Sequence, residues 1–180
     1  MSSTGAAAVI AVGSNLGDRE STIRAAICEI DGLRGVSVAA ASGLVESHAL
    51  KPAGVDKAAP NYLNAVVLVL TTLTPHELLD ALNAIEDRHG RLRERRWGDR
   101  TIDLDLIAVD GAEESSERLT LPHPQAWQRA FVLAPWLQVD SDAAIPGRGR
   151  VDDLLAATGD EVWEFVAEPL YPALAPGVTI

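Results

Sequence analysis

Asp103-Leu104-Asp105 is the part of this chain whose residue types and spacing best suit chemistry. On a strand, residues two apart point to one face, so these carboxylates stand side by side with Cα atoms about 6.5–7 Å apart. Two such charges repel unless a cation lies between them. Mg²⁺ fits, because it takes oxygen ligands and completes its shell with water and substrate phosphates. Ile102, Leu104 and Leu106 then face the core. Taken alone, the Asp-x-Asp pattern is better explained as a strand with one wet face.

The approach to the aspartates shifts that balance. Arg88, Arg91, Arg93, Arg95, Arg96 and Arg100 fall within thirteen residues and are six of the chain's thirteen arginines. A solvated loop pairing with Glu86, Asp87, Glu94 and Asp99 accounts for the cluster equally well by itself. However, Arg96-Trp97-Gly98-Asp99-Arg100-Thr101 runs directly into the aspartate strand. Guanidinium forks match phosphate oxygens, and Mg²⁺ at the carboxylates would neutralise the same phosphates from the other side. That is the logic of phosphoryl transfer, which needs positioning and charge neutralisation more than covalent chemistry. No Gly-x-x-x-x-Gly-Lys occurs and the only lysines are Lys51 and Lys57, so ATP would be held on a different plan from the P-loop. His123, stiffened between Pro122 and Pro124, could donate to a phosphate. Asn64, with donors and acceptors, suits the edge of a heterocycle. Each has a plain structural alternative, as a loop histidine and a strand-end cap.

The surrounding segments show what must position these residues. The apolar run over residues 6–12 predicts a central strand covered on both faces. Ile23, Ala26, Ile27 and Ile30 predict a helix over residues 18–33, with Cys28 a buried, inert thiol on it. A strand is expected over 36–46, a loop over 49–60 and a strand over 62–72. Thr74-Pro75-His76-Glu77 is a helix start with a capping box, and Leu78, Leu79, Leu82 and Ile85 form its buried stripe. A fourth strand covers 101–109. The order β-α-β-β-α-β predicts an α+β fold with a ferredoxin-like core: a mostly antiparallel sheet with two helices on one face. Short helical signals follow at 125–137 and 151–157, then a strand-like piece at 162–166. One domain is expected over residues 1–180, with its core over about 6–140 and an irregular C-terminal extension over about 141–180; residues 110–180 are, at least in part, the candidate cover for the second face.

Composition narrows the function classes. A net charge of −11 argues against a nucleic-acid-binding surface. No apolar run is long enough for a membrane span, and residues 1–8 lack the basic stretch of a signal peptide. A cytoplasmic monomer acting on small molecules, with no nucleic-acid or membrane partner, is the expectation.

Four segments in this order resemble the 6-hydroxymethyl-7,8-dihydropterin pyrophosphokinases of folate synthesis. They are Gly13-Ser14-Asn15-Leu16-Gly17, Tyr62-Leu63-Asn64-Ala65, Arg96-Trp97-Gly98-x-Arg100-Thr101-Ile102-Asp103-Leu104-Asp105 and Arg118-Leu119-x-x-Pro122-His123. The resemblance spans roughly residues 8–140. It implies transfer of the terminal diphosphate of ATP to the pterin hydroxymethyl oxygen, by attack at the β-phosphorus, with release of AMP. By the same resemblance Asp103 and Asp105 hold two Mg²⁺ ions. Arg93, Arg96 and Arg100 clamp phosphates, Arg93 and Arg96 from a closing loop. Glu86, Trp97, Ile102, Arg118, Thr120, His123 and Arg129 complete the ATP side. Tyr62 and Phe131 flank the pterin, Asn64 binds its edge, and Ser47 and Leu50 add contacts. Ser47-His48-Ala49 stands where the family usually has Thr-x-Pro, which implies a looser pterin-side loop.

Two rival readings fit the same fold. A ferredoxin-like RNA-binding module would stack bases on sheet aromatics, but the chain has only two Phe and two Tyr. A Mg-dependent phosphohydrolase would use the same aspartates and differ in needing no pterin.

Overall fold

The computed structural model describes residues 5–90 and 101–172. The elements run β1 (Ala6–Ser14), α1 (Arg19–Asp31), β2 (Val36–Ala41), β3 (Leu44–Ser47), β4 (Ala49–Lys51), β5 (Gly54–Asp56), β6 (Tyr62–Thr71), α2 (Pro75–Arg88) and β7 (Asp103–Val109). After them come β8 (Glu114–Ser115), β9 (Thr120–Leu121), a 3₁₀ turn (Ala126–Gln128), α3 (Ala130–Val139), β10 (Ala144–Ile145), β11 (Gly149–Arg150), α4 (Val151–Ala157) and β12 (Val162–Phe165).

The main sheet has the order β12-β3-β6-β1-β7, and β2 continues β3 along the same side of β6. All of these pairings are antiparallel. The apolar run at the start of the chain becomes the inner strand β1, paired on both sides. Alternation sorts its residues between two layers. Ala8, Ile10 and Val12 pack with Ile23, Ile27, Leu82 and Ile85 of α1 and α2. Val9 and Ala11 face the second layer, built on Leu133, Trp136 and Val151 of α3 and α4. The expected cover for the second face is therefore present, and it comes from the C-terminal third.

Local chemistry sets the helix starts. Asp18 accepts the amide of Ser21 ahead of α1, and Thr74 and Glu77 form the reciprocal capping box ahead of α2. The α2 stripe is buried at Leu78, Leu82 and Ile85, with Leu79 only partly covered, and Glu86 adds a fully buried carboxylate.

Three local expectations need correction. The strand expected over 36–46 is two strands, because Ser42 turns its hydroxyl into the ladder to accept the Val66 amide and Gly43 instead donates to Gln138 of α3. The segment 49–60 contains the β4–β5 hairpin. Cys28 is exposed, since it lies on the outward side of α1 from Ile27 and Ile30. In the described part of the extension, up to residue 172, β10 and β11 form a hairpin turned by Gly147 at φ 74°, and β12 joins the main sheet at β3. Among the described residues, no helix is long and apolar enough to cross a membrane.

Candidate active site

The aspartate strand β7 lies beside β1, with Asp103 opposite Gly13 and Asp105 opposite Ala11. Both aspartates are half-buried, while Leu104 and Leu106 between and beyond them point into the α1–α2 core. The expected alternation is thus observed. Gly13 and Ala11 are the smallest possible cross-strand neighbours, so the space over the carboxylates is not filled from β1. From beneath, the buried Glu86 carboxylate accepts the Leu104 amide at 2.7 Å. It fixes the Asp103–Leu104 peptide that links the two aspartates.

A register shift opposite Val9 and Ile10 leaves Ile107 as an extra residue in β7, so that Ile107 and Ala108 both pack on the α3 side. The carbonyl of Ile107 then accepts the His123 amide at 2.8 Å, which draws the segment after β9 over the aspartate strand. The ring of His123 is oriented by the Gln125 backbone N–H, which donates to its Nδ1 at 3.2 Å. Nδ1 is therefore an acceptor, and the proton of the neutral ring sits on Nε2. Burial, and next the positive charge of Arg129, push this imidazole down to about 4 against the opposing pull of Asp103. His123 is accordingly neutral at ordinary pH and presents an N–H. Arg129 lies on the Gln125 side-chain oxygen and over the Phe131 ring, 5.7 Å from its centroid. Arg118 is exposed and ion-paired with Asp80 of α2, and Thr120 is half-buried in β9, opposite Ser115.

The second half of the site is built on β3, β6 and α3. Asn64 donates from Nδ2 to the Ser47 hydroxyl at 2.9 Å, and both are buried, at 5% and 4% exposure. Their bond sets the amide orientation and turns Oδ1 toward Gly13. A Cβ on Gly13 would lie 3.2 Å from that oxygen and 3.6 Å from the Tyr62 ring, so a larger residue here would have to push the Asn64 amide aside. Ser47, Leu50 and Phe131 line a cavity of about 240 Å³ together with His48, Val55, Lys57, Gly159, Asp160 and Glu161. Of the five ring-binding residues expected from sequence, three line this cavity, and Asn64 and Tyr62 join it through Ser47, their neighbour by bond and by register. His48 belongs to the Ser47-His48-Ala49 loop already noted, whereas the 159–161 stretch was not singled out, because it reaches the cavity only through the pairing of β12 with β3.

Gly13 connects the two halves. It is the cross-strand partner of Asn64 on one side and of Asp103 on the other. Directly opposed residues share a face, so Asn64 and Asp103 point to the same side of the sheet from backbones about 10 Å apart. Of the remaining candidates, Ile102 is fully buried just before β7, whereas Arg93, Arg96, Trp97 and Arg100 lie outside the described residues.

The chain is an α+β protein with a mostly antiparallel sheet, and comparison with known proteins places it among ATP-dependent phosphoryl-transferring enzymes. The family model described as 7,8-dihydro-6-hydroxymethylpterin-pyrophosphokinase matches residues 9–141, and the chain belongs to this family of ATP-dependent diphosphokinases of folate synthesis. The 2-amino-4-hydroxy-6-hydroxymethyldihydropteridine pyrophosphokinase of Methylorubrum extorquens is 41% identical over 140 residues, covering 78% of this chain and 86% of the relative. The enzyme of the same name from Haemophilus influenzae is 37% identical over 153 residues, covering 85% and 93%. Among solved structures, Plasmodium falciparum HPPK-DHPS with pterin and p-hydroxybenzoate superposes with a TM-score of 0.65 at 13% identity over 87% of this chain. That likeness is one of fold, and this chain spans 44% of the longer one.

Proposed function

We propose that this chain binds 6-hydroxymethyl-7,8-dihydropterin in the cavity beside Asn64 and ATP over Asp103 and Asp105, and moves the terminal diphosphate of ATP to the pterin hydroxymethyl oxygen with release of AMP. The observation that carries this assignment is the row Asn64–Gly13–Asp103 across three adjacent strands. A ring held at Asn64 has its hydroxymethyl arm within reach of phosphates held at the aspartates.

Asp103 and Asp105 suit Mg²⁺: they are hard oxygen donors, half-exposed on one face, with only Gly13 and Ala11 opposite them. Bound there, two Mg²⁺ ions would neutralise phosphate charge and lower the acidity barrier of the attacking hydroxyl. The chain's own residues supply the rest. The Ser47–Asn64 pair reads the edge of the pterin, with Leu50 at the cavity wall and Tyr62 and Phe131 flanking the ring. The neutral His123 donates Nε2–H to a phosphate oxygen, and Arg118, Thr120 and Arg129 join it on the ATP side. Glu86 acts there by holding the peptide between the aspartates, with Ile102 packed beneath. Arg93, Arg96, Trp97 and Arg100 complete the phosphate and base contacts. Attack is at the β-phosphorus, so the new bond is oxygen to β-phosphorus and the leaving group is AMP.

The order β1-α1-β2/β3-β6-α2-β7, with α1 and α2 on one face, supports a ferredoxin-like βαββαβ core, and the two apolar clusters flanking one sheet support a single domain. The enzyme works as a cytoplasmic monomer on small-molecule substrates. Incubation with ATP, Mg²⁺ and the hydroxymethyl-dihydropterin tests the assignment. The expected result is AMP and pterin diphosphate in equal amounts, and only when pterin is present. ADP, or hydrolysis without pterin, would instead identify a phosphohydrolase.

A further inference from the structure

The residues after α4 reach the ring-binding cavity from the far end of the chain. β12 pairs with β3 so that Val162 stands opposite Ser47 and Trp163 opposite Glu46. The three residues ahead of it, Gly159, Asp160 and Glu161, form one wall of the cavity, with Leu50, Val55 and Lys57 among the others.

Trp163 belongs to a closed set of contacts around that wall. Its indole N–H donates to Glu46 at 3.1 Å. The Arg19 guanidinium donates to the other Glu46 oxygen and to the Asn61 carbonyl, each at 2.8 Å. The Asn61 side-chain oxygen meets His48 Nδ1 at 3.0 Å. The His48 ring returns to Trp163 edge-on, with centroids 5.0 Å apart at 68°. Burial works against the Glu46 charge, but the bonds from Arg19 and Trp163 outweigh it and hold the carboxyl below the ordinary range. His48 and Ala49 follow Ser47 directly, and Asn61 precedes Tyr62, so the set fixes both ends of the segment that encloses the ring.

Both ends of the extension are anchored elsewhere. Val151 of α4 is fully buried in the α3 layer. Beyond β12, Arg24 of α1 donates to the carbonyls of Glu168 and Pro169 at 2.6 and 2.9 Å. Leu170 is buried in the α1–α2 core, and the Tyr171 hydroxyl donates to Asp31 at 3.2 Å. The stretch at the cavity therefore spans two fixed points, one on each face of the sheet.

We infer that the C-terminal extension is a positioning strap for the pterin pocket: Trp163 holds His48, and through it the wall that begins at Ser47, while Gly159–Glu161 close the outer side. This rests on the reading of the cavity as the pterin site. The strap braces Ser47-His48-Ala49 from outside through the Trp163–His48 contact, and it acts on pterin binding rather than on the phosphate chemistry over Asp103.

The test is steady-state AMP formation together with calorimetric binding of the hydroxymethyl-dihydropterin to Trp163→Ala, Trp163→Phe, His48→Ala and the Trp163→Ala/His48→Ala double variant. Trp163→Ala should raise the pterin KM and Kd about tenfold, with kcat and the KM for ATP within about twofold. Trp163→Phe, which keeps the edge contact, should recover most of the loss. The double variant should lose no more than the worse single, because the two residues act through one contact. Unchanged pterin Kd in His48→Ala and in folded Trp163→Ala overturns the proposal, as does an equal fall in pterin and ATP parameters. Should Trp163→Ala not fold, His48→Ala and Trp163→Phe decide the matter alone. Asn64→Ala separates the two levels. If it weakens pterin binding while the strap variants do not, only the strap fails; if it leaves pterin binding intact, the assignment of the cavity fails.

Discussion

The two halves of the site are built on different physical terms. On the side proposed for the ring, Ser47 and Asn64 are buried and bonded to each other, and Gly13 lies close beside Asn64 and Tyr62. Shape is set there before any ligand arrives, because moving one group displaces the next. On the phosphate side, Asp103 and Asp105 stand half-exposed on β7, and Arg118 is exposed with its charge spent on Asp80. Under the proposed assignment, recognition there would rest on charge that water and salt can screen. The contrast fits the ligands: a flat heterocycle is selected by complementary edges, whereas a triphosphate is held by neutralising it.

Substitutions can break this contrast from either side. Asp105→Asn keeps shape and removes one charge, so it should lower AMP formation by at least about 1000-fold while leaving the pterin Kd and the denaturation midpoint near those of the unchanged chain. A loss confined to pterin binding would reverse the assignment of the halves. Gly13→Ala adds one methyl group where only 3.2 Å separates it from the Asn64 oxygen. It should weaken pterin binding about tenfold and cost about 1–3 kcal/mol of stability, read by calorimetry and urea unfolding, with a smaller effect on the KM for ATP. Equal damage to both substrates would show that Gly13 separates the strands rather than shaping the ring site.

The smallest effect concerns His123 and pH. Its ordinary value is 6.5 and its folded value about 4, so the unfolded chain takes up the proton first as pH falls. The stability it contributes is complete above pH 6.5, declines as pH falls from 6.5 to about 4, and is flat below that. The decline should reach at most about 3 kcal/mol. Urea unfolding between pH 4 and 7.5 should show it, and His123→Gln should flatten that slope. An unchanged slope would mean that other groups account for the acid sensitivity.

Much of the frame was legible from local pattern. Thr74, Pro75 and Glu77 announce α2 because a cap is satisfied within four residues. The run at β1 announces a strand covered on both faces because no polar residue interrupts it. The misread segments share a cause. Ser42 splits a strand through a bond to Val66, 24 positions away, and nothing near Ser42 reports it. Cys28 was assigned to the core by apolar neighbours, though a helix carries successive residues about 100° apart around its axis.

The sequence by itself determined the spacing of Asp103 and Asp105, the face they share and the helices that cover the opposite side. Those properties follow from strand and helix periodicity within one element. Only the tertiary structure decided that Asn64, Gly13 and Asp103 stand in one row, that Glu86 supports the aspartates from beneath, and that Trp163 meets Glu46 across 117 positions. Register between strands depends on which side chains pack over both faces at once, and no single segment carries that information.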